Sequence, residues 1–414
     1  MSLAKLNDWK ELRLDEVFDI SRGGSPRPIK DFITESNEGY NWIKIGDTKK
    51  VDKYIYTTKQ KIKKEGLKKT VLVQEDDFIL SNSMSFGKPY IMKTEGCIHD
   101  GWLLMRRKSK DLSIDYMYYL LSSNVIKSQF KNKAAGSTVQ NLNIKLVSTV
   151  KALIPSYKEQ QKIAEILSTV DAKIKVIDQQ ITETQELKKG LMQRLLTKGI
   201  GHTEFKESPL GEIPVGWEVL KIGEVCQSFA GGTPKRSVEK YYLNGNIPWV
   251  KSGEVDDNDI TYTQEFVTEL AIEETSTKLI KPNSILVALY GATAGKIGVL
   301  KMKACSNQAV LAINSKNENL SNKFIYHYLK NITKLLLDLC QGSGQPNLSK
   351  KIIDNVFIPI PSVKEQQKIA DILSAVDEKL DVLSEKKTTY QELKKGLMQQ
   401  LLTGKVRVMV KKKA

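Results

Sequence analysis

The segment closest to a known catalytic motif is Tyr290–Lys296, with the sequence YGATAGK. A phosphate-binding loop needs four residues between its first glycine and its Gly-Lys pair, and then a serine or threonine that binds magnesium. Here only three residues separate Gly291 from Gly295, and Ile297 follows the lysine. The segment is therefore not predicted to bind a nucleotide.

Other residues with catalytic potential are also placed unfavourably. The histidines His99, His202 and His327 are far apart and have no acid or cysteine at metal-ligand spacing, so each is expected on the surface or in packing. The acids at 75–77 and 256–257 are typical of turns. The chain has no Gly-x-Gly-x-x-Gly after an apolar run, and no Asn-Pro-Pro or Asp-Pro-Pro element of adenine methyltransferases. The sequence therefore predicts a non-catalytic protein, with no catalytic residue and no metal site.

Composition limits the class of protein. The 414 residues are 40% hydrophobic, which favours folded domains with substantial cores. Four isolated cysteines, no apolar run long enough to span a membrane and no signal-peptide core predict a cytoplasmic protein. The net charge is +16, and half of the surplus lies in residues 1–150. A basic surplus favours a polyanion such as nucleic acid, although it is equally compatible with a solvated surface.

One 47-residue passage occurs twice, at residues 154–200 and 360–406, with 30 identical positions at a constant offset of 206. Both copies contain KEQQKIA and QELKKGLMQ. Two distant copies cannot form a solenoid, which needs about three adjacent units. We interpret the chain as a long unit followed by a helical unit, written twice.

Each repeated passage is predicted to be one long helix. Ser156 with Glu159, and Ser362 with Glu365, have the spacing of a capping box, and glycines near 199 and 404 favour a helix stop. Apolar residues follow at alternating steps of four and three, the seam spacing of a coiled coil. The predicted seam comprises Ile163, Leu167, Val170, Ile174, Ile177, Ile369, Leu373, Val376, Leu380 and Leu383.

Helices of this length, ~60 Å at 1.5 Å per residue, need a partner along their length. We expect the two to form an antiparallel coiled coil with internal pseudo-two-fold symmetry, because the linker at 201–216 is rich in Pro and Gly and permits the chain to reverse. Two ordinary packing helices in separate domains are the alternative.

The long units also match at a series of anchors. Between the anchors the halves differ freely, so one scaffold is kept while its exposed surface changes. Apolar runs at 78–80 and 285–289 are predicted to be buried strands, and 115–127 and 322–339 to be helical, which makes each unit a mixed α+β domain. The anchors pair Trp9 with Trp217, Gly23–Pro26 with Gly231–Pro234, Trp42–Gly46 with Trp249–Gly253, Gly87-Lys88 with Gly295-Lys296, Cys97 with Cys305, Gly136-Ser137 with Gly342-Ser343, and Asn141-Leu142 with Asn347-Leu348.

With two variable domains, two nearly identical helices and no catalytic motif, the whole chain resembles the specificity subunit of type I restriction-modification systems. The repeated helices, the segment GEIPVGW at 211–217 and the Gly-Gly-(Ser/Thr)-Pro anchors carry the resemblance. It implies recognition domains at 1–153 and 217–359, spacer helices at 154–200 and 360–406, a linker at 201–216 and a basic tail at 407–414. Each domain would recognise one half of a split DNA target, and the helices would set the gap.

The resemblance also implies partners: double-stranded DNA, two methyltransferase subunits that dock on the helices, and restriction subunits. S-adenosylmethionine, ATP and magnesium would act in those subunits, and this chain would hold no cofactor. A coiled-coil scaffold with two protein-binding domains, an enzyme with an unfamiliar site, and an acidic face at 254–274 for a basic partner remain alternatives.

Candidate DNA contacts follow from the loops beside the anchors. Arg, Lys, Gln and Asn suit base edges, whereas Ser and Thr more often hold phosphates. The matched Lys88 and Lys296 are expected to bind phosphate or hold structure, because base-contacting residues should differ between halves. The candidates are Arg22, Ser25, Arg27, Asn82, Ser83, Ser85, Lys88, Thr138 and Gln140 in the first half, and Thr233, Lys235, Arg236, Tyr290, Thr293, Lys296, Gln345 and Asn347 in the second.

Overall fold

The computed structural model describes residues 8–48, 52–82, 86–134, 141–257, 259–340 and 347–409. It divides the chain into two compact units. Unit 1 comprises residues 1–178 and 385–414, and unit 2 comprises residues 179–384. Each unit therefore contains one of the two α+β domains, the first part of one long helix and the last part of the other.

Unit 1 contains twelve strands and four short α-helices before the first long helix, within the described ranges. The strands are β1 (Lys10–Arg13), β2 (Phe18–Arg22), β3 (Ile33–Thr34), β4 (Tyr40–Ile43), β5 (Tyr54–Ile55), β6 (Gln60–Ile62), β7 (Val71–Val73), β8 (Phe78–Ser81), β9 (Pro89–Met92), β10 (Gly96–Ile98), β11 (Trp102–Arg107) and β12 (Lys151–Ile154). The helices are α1 (Leu14–Val17), α2 (Ile114–Ser122), α3 (Asn124–Ala134) and α4 (Ile144–Ser148), followed by the long α5 (Tyr157–Leu195).

Two five-stranded sheets form the domain of unit 1. The central sheet has the order β2-β11-β8-β9-β5, and the second sheet has the order β3-β6-β4-β10-β7. The entry strand β1 pairs antiparallel with the exit strand β12, with Lys10 opposite Ile154, so the domain begins and ends at one place. Strand β8 shows why its apolar run is continuous: Phe78 and Leu80 pack into a core with α2 and α3, while Ile79 packs into a core on the opposite face.

Unit 2 repeats this plan. Its strands are β13 (Phe205–Lys206), β14 (Ile213–Pro214), β15 (Glu218–Lys221), β16 (Cys226–Ala230), β17 (Ile247–Val250), β18 (Asp259–Ile260), β19 (Phe266–Val267), β20 (Ile285–Ala288), β21 (Ile297–Leu300), β22 (Cys305–Ser306), β23 (Val310–Ser315) and β24 (Phe357–Ile360). Its helices are α6 (Ile222–Val225), α7 (Glu269–Glu274), α8 (Asn322–Asn331), α9 (Thr333–Asp338) and α10 (Lys350–Asp354), and the second long helix is α11 (Val363–Leu401).

The central sheet of unit 2 has the order β16-β23-β20-β21-β18, and its second sheet has the order β19-β17-β22. Entry strand β15 pairs with exit strand β24, with Glu218 opposite Ile360, as in unit 1. Strand β20 is buried on both faces, since Ile285 and Val287 enter one core and Leu286 and Ala288 another. The predicted mixed α+β class and both predicted buried strands are confirmed.

The long helices begin where the sequence predicts, directly after Ser156 and Ser362, and each has 39 residues, which makes each ~58 Å long. They end at Leu195 and Leu401, shortly before Gly199 and Gly404, which adopt the left-handed conformation expected of a stop. The predicted capping box is wrong for one of its two hydrogen bonds, the one from the N–H of the serine to the glutamate carboxylate. The Ser362 hydroxyl accepts from the N–H of Glu365, but both glutamates turn their carboxylates towards distant partners.

In unit 1 the two long helices run antiparallel. Asp171 pairs with Lys394 at 2.5 Å and Asp178 with Lys387 at 2.6 Å, so seven residues forward on α5 correspond to seven residues back on α11. Lys387, which stands in the second copy where the first copy has Ile181, is thus held by an acid of the facing helix. The seam residues Ile163 and Leu167 are fully buried, but they pack against the domain core.

In unit 2 the helices are also antiparallel. Lys188 pairs with Asp377, which repeats the Asp171–Lys394 pair at the helical offset of 206. Twelve residues after Lys188, in the segment that follows α5, the N–H of Ile200 donates to Glu365, which lies twelve residues before Asp377 on α11. Ile369 and Leu373 are buried against the domain core. The antiparallel pairing is therefore confirmed in each unit separately.

The predicted helices at 115–127 and 322–339 are each two helices. In unit 1, Ser123 is extended, and its hydroxyl accepts from the N–H of Ile126 to start α3. In unit 2, Ile332 ends α8 and precedes α9. Apolar periodicity passes through each break because both helices of a unit face the core of that unit. Among the described helices, none combines the length and hydropathy needed to span a lipid bilayer.

Candidate nucleic-acid interface

The Gly-Gly turn of unit 1 leads from the central sheet to the second sheet. Gly23 donates its N–H to the carbonyl of Trp102 at 2.9 Å, and Gly24 donates to Ile98 at 3.1 Å. A Cβ at Gly23 would lie 2.1 Å from the carbonyl oxygen of His99, so only glycine allows this approach. The backbone after β2 is thereby held in place, and the side chains that follow are displayed at one end of the sheet.

Unit 2 contains the same turn. The N–H of Gly231 donates to Val310 at 3.0 Å and that of Gly232 to Ser306 at 2.9 Å. A Cβ at Gly231 would lie 2.1 Å from the carbonyl oxygen of Ser306. Each bond is the counterpart of one in unit 1 at an offset of 208. The scaffold beneath the two candidate loops is therefore the same.

Three of the sequence-predicted candidates in unit 1 converge on one residue that was not predicted, Asp100, in the turn between β10 and β11. Arg22 Nε and Asn82 Nδ2 donate to its carbonyl at 3.1 and 2.8 Å, and the Ser25 hydroxyl donates to its carboxylate at 2.6 Å. The hydrogen bond from Ser25 holds the pKa of Asp100 below its usual value, with a further contribution from the charge of Arg27. These residues form one polar loop cluster at a shared sheet edge.

In unit 2 the equivalent turn presents Gln308. The hydroxyl of Thr233 donates to its side-chain carbonyl, as Ser25 does to Asp100. Lys235 is exposed beside this turn. Neither Asp100 nor Gln308 was predicted from the sequence, although the alignment of the halves at an offset of 208 already places them opposite each other, at a position where the residue type changes.

Arg236 is held by its own domain. Its guanidinium lies 4.6 Å from the ring centroid of Tyr242 and 5.0 Å from that of Trp249, and it pairs with Glu265 at 2.5 Å. Lys251 pairs with the same carboxylate, and these two cations hold the pKa of Glu265 below its usual value. Arg236 would have to leave this ion pair before it could contact a base.

The matched lysines differ in their surroundings. Lys296 pairs with Asp257 at 3.0 Å and Asp256 at 3.3 Å, so the acidic stretch of unit 2 neutralises cations of its own domain. The hydroxyl of Thr293 donates to the carbonyl of Ser252 at 2.6 Å, which holds this loop on the scaffold. A structural role therefore suits Lys296. Tyr290 is partly exposed at the end of β20, and Lys88 lies over the ring of Tyr90 at 4.9 Å.

Asn347 is exposed beside Leu348, whose N–H donates to the carbonyl of Leu289 at 2.8 Å. Leu142 makes the same bond to Asn82 in unit 1, so this segment also approaches the candidate loops. The remaining candidates lie outside the described residues: Ser83, Ser85, Thr138, Gln140 and Gln345.

A glutamate carboxylate, buried in unit 1 and mostly buried in unit 2, joins each domain to its long helix. In unit 1, Glu159 accepts from the indole of Trp9 at 3.1 Å and from Arg407 at 2.7 and 2.9 Å. In unit 2, Glu365 accepts from the indole of Trp217 at 3.0 Å, from the N–H of Ile200 and from His202 at 2.8 Å. We call each arrangement a glutamate clasp. Each clasp attaches two segments to the start of one long helix: the start of the domain, and the segment that follows the end of the other long helix.

The next residue, Gln160 or Gln366, makes a second join. Gln160 accepts from the N–H of Ser113 at 2.8 Å and donates to the carbonyls of Asp111 and Pro155. Gln366 makes the three equivalent bonds in unit 2. The glutamate and the first glutamine of the repeated sequence EQQ are thus explained by the contacts that set the domain on its helix.

The histidines and cysteines have structural surroundings. Burial lowers the pKa of His99 and lowers that of His327 to about 4. Burial also raises the pKa of Cys97, Cys226 and Cys305 to about 12, which leaves these thiols neutral. Within the described ranges, no group of His, Cys, Asp and Glu side chains is arranged to hold a metal ion.

Comparisons with known proteins agree with this architecture. The sequence model described as "Type I restriction modification DNA specificity domain" matches residues 7–186 and again residues 214–395. The type I restriction enzyme MjaVIII specificity subunit of Methanocaldococcus jannaschii is 29% identical over 97% of this chain and 93% of that protein. The putative MjaX specificity subunit of the same organism is 30% identical over 97% of this chain and 94% of its own length.

Two solved structures share the fold. The type I restriction-modification S subunit from M. genitalium has a TM-score of 0.58 at 17% identity, covering 95% of this chain and 96% of that one. A chain from a study of complex assembly in a type I R-M system has a TM-score of 0.63 at 17% identity, covering 96% and 98%. With the family match present twice and relatives aligned along nearly its whole length, this chain belongs to the type I restriction-modification DNA specificity family.

Proposed function

We propose that this chain is the DNA-recognition subunit of a type I restriction-modification system, in which each unit recognises one half of a split target. The observation that carries the proposal is the polar loop cluster of unit 1 and the equivalent Thr233–Gln308 turn of unit 2, which share one hydrogen-bonded scaffold and differ in the side chains displayed on it. Two unlike domains related by an internal repeat suit two unlike half-sites. The net charge of +16 suits the phosphate backbone between them.

The long helices are proposed to set the gap between half-sites and to dock methyltransferase subunits. Exposed apolar residues support docking, because they recur at the same repeat positions: Val176 and Val382 are 51% and 61% exposed, and Leu187 and Leu393 are 52% and 48% exposed. A surface presented twice fits two copies of one partner. Restriction subunits would join this core. S-adenosylmethionine, ATP and magnesium would act in those partners.

A selection experiment tests the proposal. The chain, purified with the methyltransferase subunit of its own system, is incubated with random-sequence duplexes, and the bound fraction is sequenced at two salt concentrations. The expected result is one motif with two unlike halves and an unspecified gap, and an affinity that falls steeply with salt. A bound pool with no shared motif would contradict DNA recognition and favour the protein-scaffold alternative.

A further inference from the structure

Asp100 and Gln308 occupy the same place in the two units. Each lies in the short turn before a central strand, β11 or β23, and each accepts a hydrogen bond from the hydroxyl that follows the Gly-Gly turn. Ser25 and Thr233, which supply the hydroxyls, are themselves equivalent at an offset of 208. The contact is kept between the halves while the residue that accepts it changes from a carboxylate to an amide.

The surroundings of this position separate into a constant part and a variable part. The constant part is backbone: the two glycine N–H bonds described above in unit 1 recur in unit 2. The variable part is the side chains that flank the position. Arg22, Arg27 and His99 in unit 1 correspond to Ala230, Lys235 and Asn307 in unit 2. A carboxylate and an amide can both accept the hydroxyl that follows the Gly-Gly turn. If this position only held the turn, the two units would therefore have no need of different residues there.

Both side chains are accessible to a ligand. The Asp100 side chain is 49% exposed, and Gln308 is also exposed. Their hydrogen-bonding chemistry differs, because a carboxylate only accepts whereas an amide both donates and accepts. A carboxylate is repelled by phosphates, so an acidic side chain in a DNA-contacting loop is better suited to a base edge than to the backbone.

We propose that Asp100 and Gln308 are the equivalent base-reading residues of the two units, Asp100 accepting from the exocyclic amine of a cytosine and Gln308 bonding the edge of an adenine. These assignments follow the pairings that donor and acceptor geometry favours in the major groove. The inference rests on the proposed function and adds to it which position in each loop cluster carries specificity.

The test exchanges the residue types of the two positions. Asp100→Gln places in unit 1 the amide that unit 2 already accommodates against a hydroxyl, and Gln308→Asp makes the reverse change. Each variant is put through the duplex selection described above. Asp100→Gln is expected to change one base of one half-site from cytosine to adenine, with a preference of roughly 5- to 150-fold, the range of one good base-edge contact. The other half-site should stay the same. Gln308→Asp should change the other half-site alone.

Glu11→Gln is the matched control, because it removes the same charge from an exposed acid of unit 1. Glu11 lies on the entry strand β1 and pairs with Lys151 on the exit strand β12. It should leave both half-sites unchanged. If Asp100→Gln and Gln308→Asp bind with the wild-type motif, the two residues hold their turns and the inference is overturned while the proposed function stands. If the wild-type chain selects no split motif, the proposed function itself fails.

Discussion

The glutamate clasp of unit 1 should be more sensitive to loss of charge than the clasp of unit 2. The perturbation is Glu159→Gln, which keeps the shape of the side chain and removes its charge. Glu159 is only 3% exposed, and its partner Arg407 belongs to the segment that follows α11. The matched variant is Glu365→Gln, where the partners are the indole of Trp217, a backbone N–H and His202.

The magnitude follows from the bonds each variant loses. A glutamine at 159 whose oxygen takes the place of Oε2 can still accept from Trp9 and from Arg407 Nη2, but its NH2 group then faces the Nε donor of Arg407, and the charge that pairs with the guanidinium is lost. Hydrogen bonds to charged groups contribute about 1.5–3 kcal/mol each. The Arg407 side chain is 31% exposed, so water replaces part of that loss, and we expect about 2 kcal/mol. At Glu365 the variant loses one bond to an indole or amide donor, about 1 kcal/mol.

Hydrogen exchange read by mass spectrometry measures each clasp locally, which suits a two-unit chain better than one global unfolding curve. Peptides covering 402–409 report on unit 1, and peptides covering 196–202 report on unit 2. Glu159→Gln should speed exchange in the first segment by roughly 30-fold, and Glu365→Gln should speed it in the second by roughly 5-fold. Equal effects, or no effect of Glu159→Gln, would refute the assignment of Arg407 as the charged partner that closes unit 1.

Three further predictions concern other parts of the chain. Because the pKa of His327 is lowered to about 4, the unfolded chain binds a proton at this side chain first as pH falls from 6.5, and unit 2 should lose about 3 kcal/mol of stability by pH 4. His327→Tyr, which introduces the residue found at the matching position of unit 1, Tyr119, should remove that loss in acid-denaturation curves. Gly23→Ala should abolish selection of one half-site because its Cβ meets a backbone oxygen, whereas Gly46→Ala, with open space around it, should not. Inserting one heptad into both long helices adds ~10 Å and should lengthen the preferred gap by up to ~3 base pairs; an unchanged gap in duplex selection would exclude the helices as the spacer.

Much of the architecture was accessible from the sequence because it is written twice. Both long helices, their starts and glycine stops, and the buried strands at Phe78 and Ile285 follow from local pattern, and the structure contains them. Antiparallel pairing was also predictable, since helices of this length need a partner and the linker permits reversal. Internal repetition further placed Asp100 opposite Gln308, but without contacts nothing distinguished that position from its neighbours.

Interactions between distant residues were not accessible. Glu159 stands at the spacing of a capping box, yet its carboxylate bonds Trp9, 150 residues earlier, and Arg407, 248 residues later. Arg407 is a charged donor and the bond from Trp9 is buried, so both partners are preferred to the local backbone N–H that the pattern favours. Arg236 was a reasonable base-contacting candidate from its loop, but the acid that neutralises it, Glu265, comes from another strand connection. Tertiary partners of this kind decide which charges remain available to a ligand.

The central claim is that each unit recognises its own half-site. The most direct measurement is a genome-wide map of N6-methyladenine in cells that co-express this chain with its methyltransferase subunit, repeated for a chimera in which residues 10–154 replace residues 218–360. The paired entry and exit strands place both junctions at equivalent positions. The account predicts a split motif with two unlike halves for the natural chain and a palindromic split motif, with the first half repeated in inverted orientation, for the chimera. Methylation by the chimera at the unchanged natural motif would contradict it.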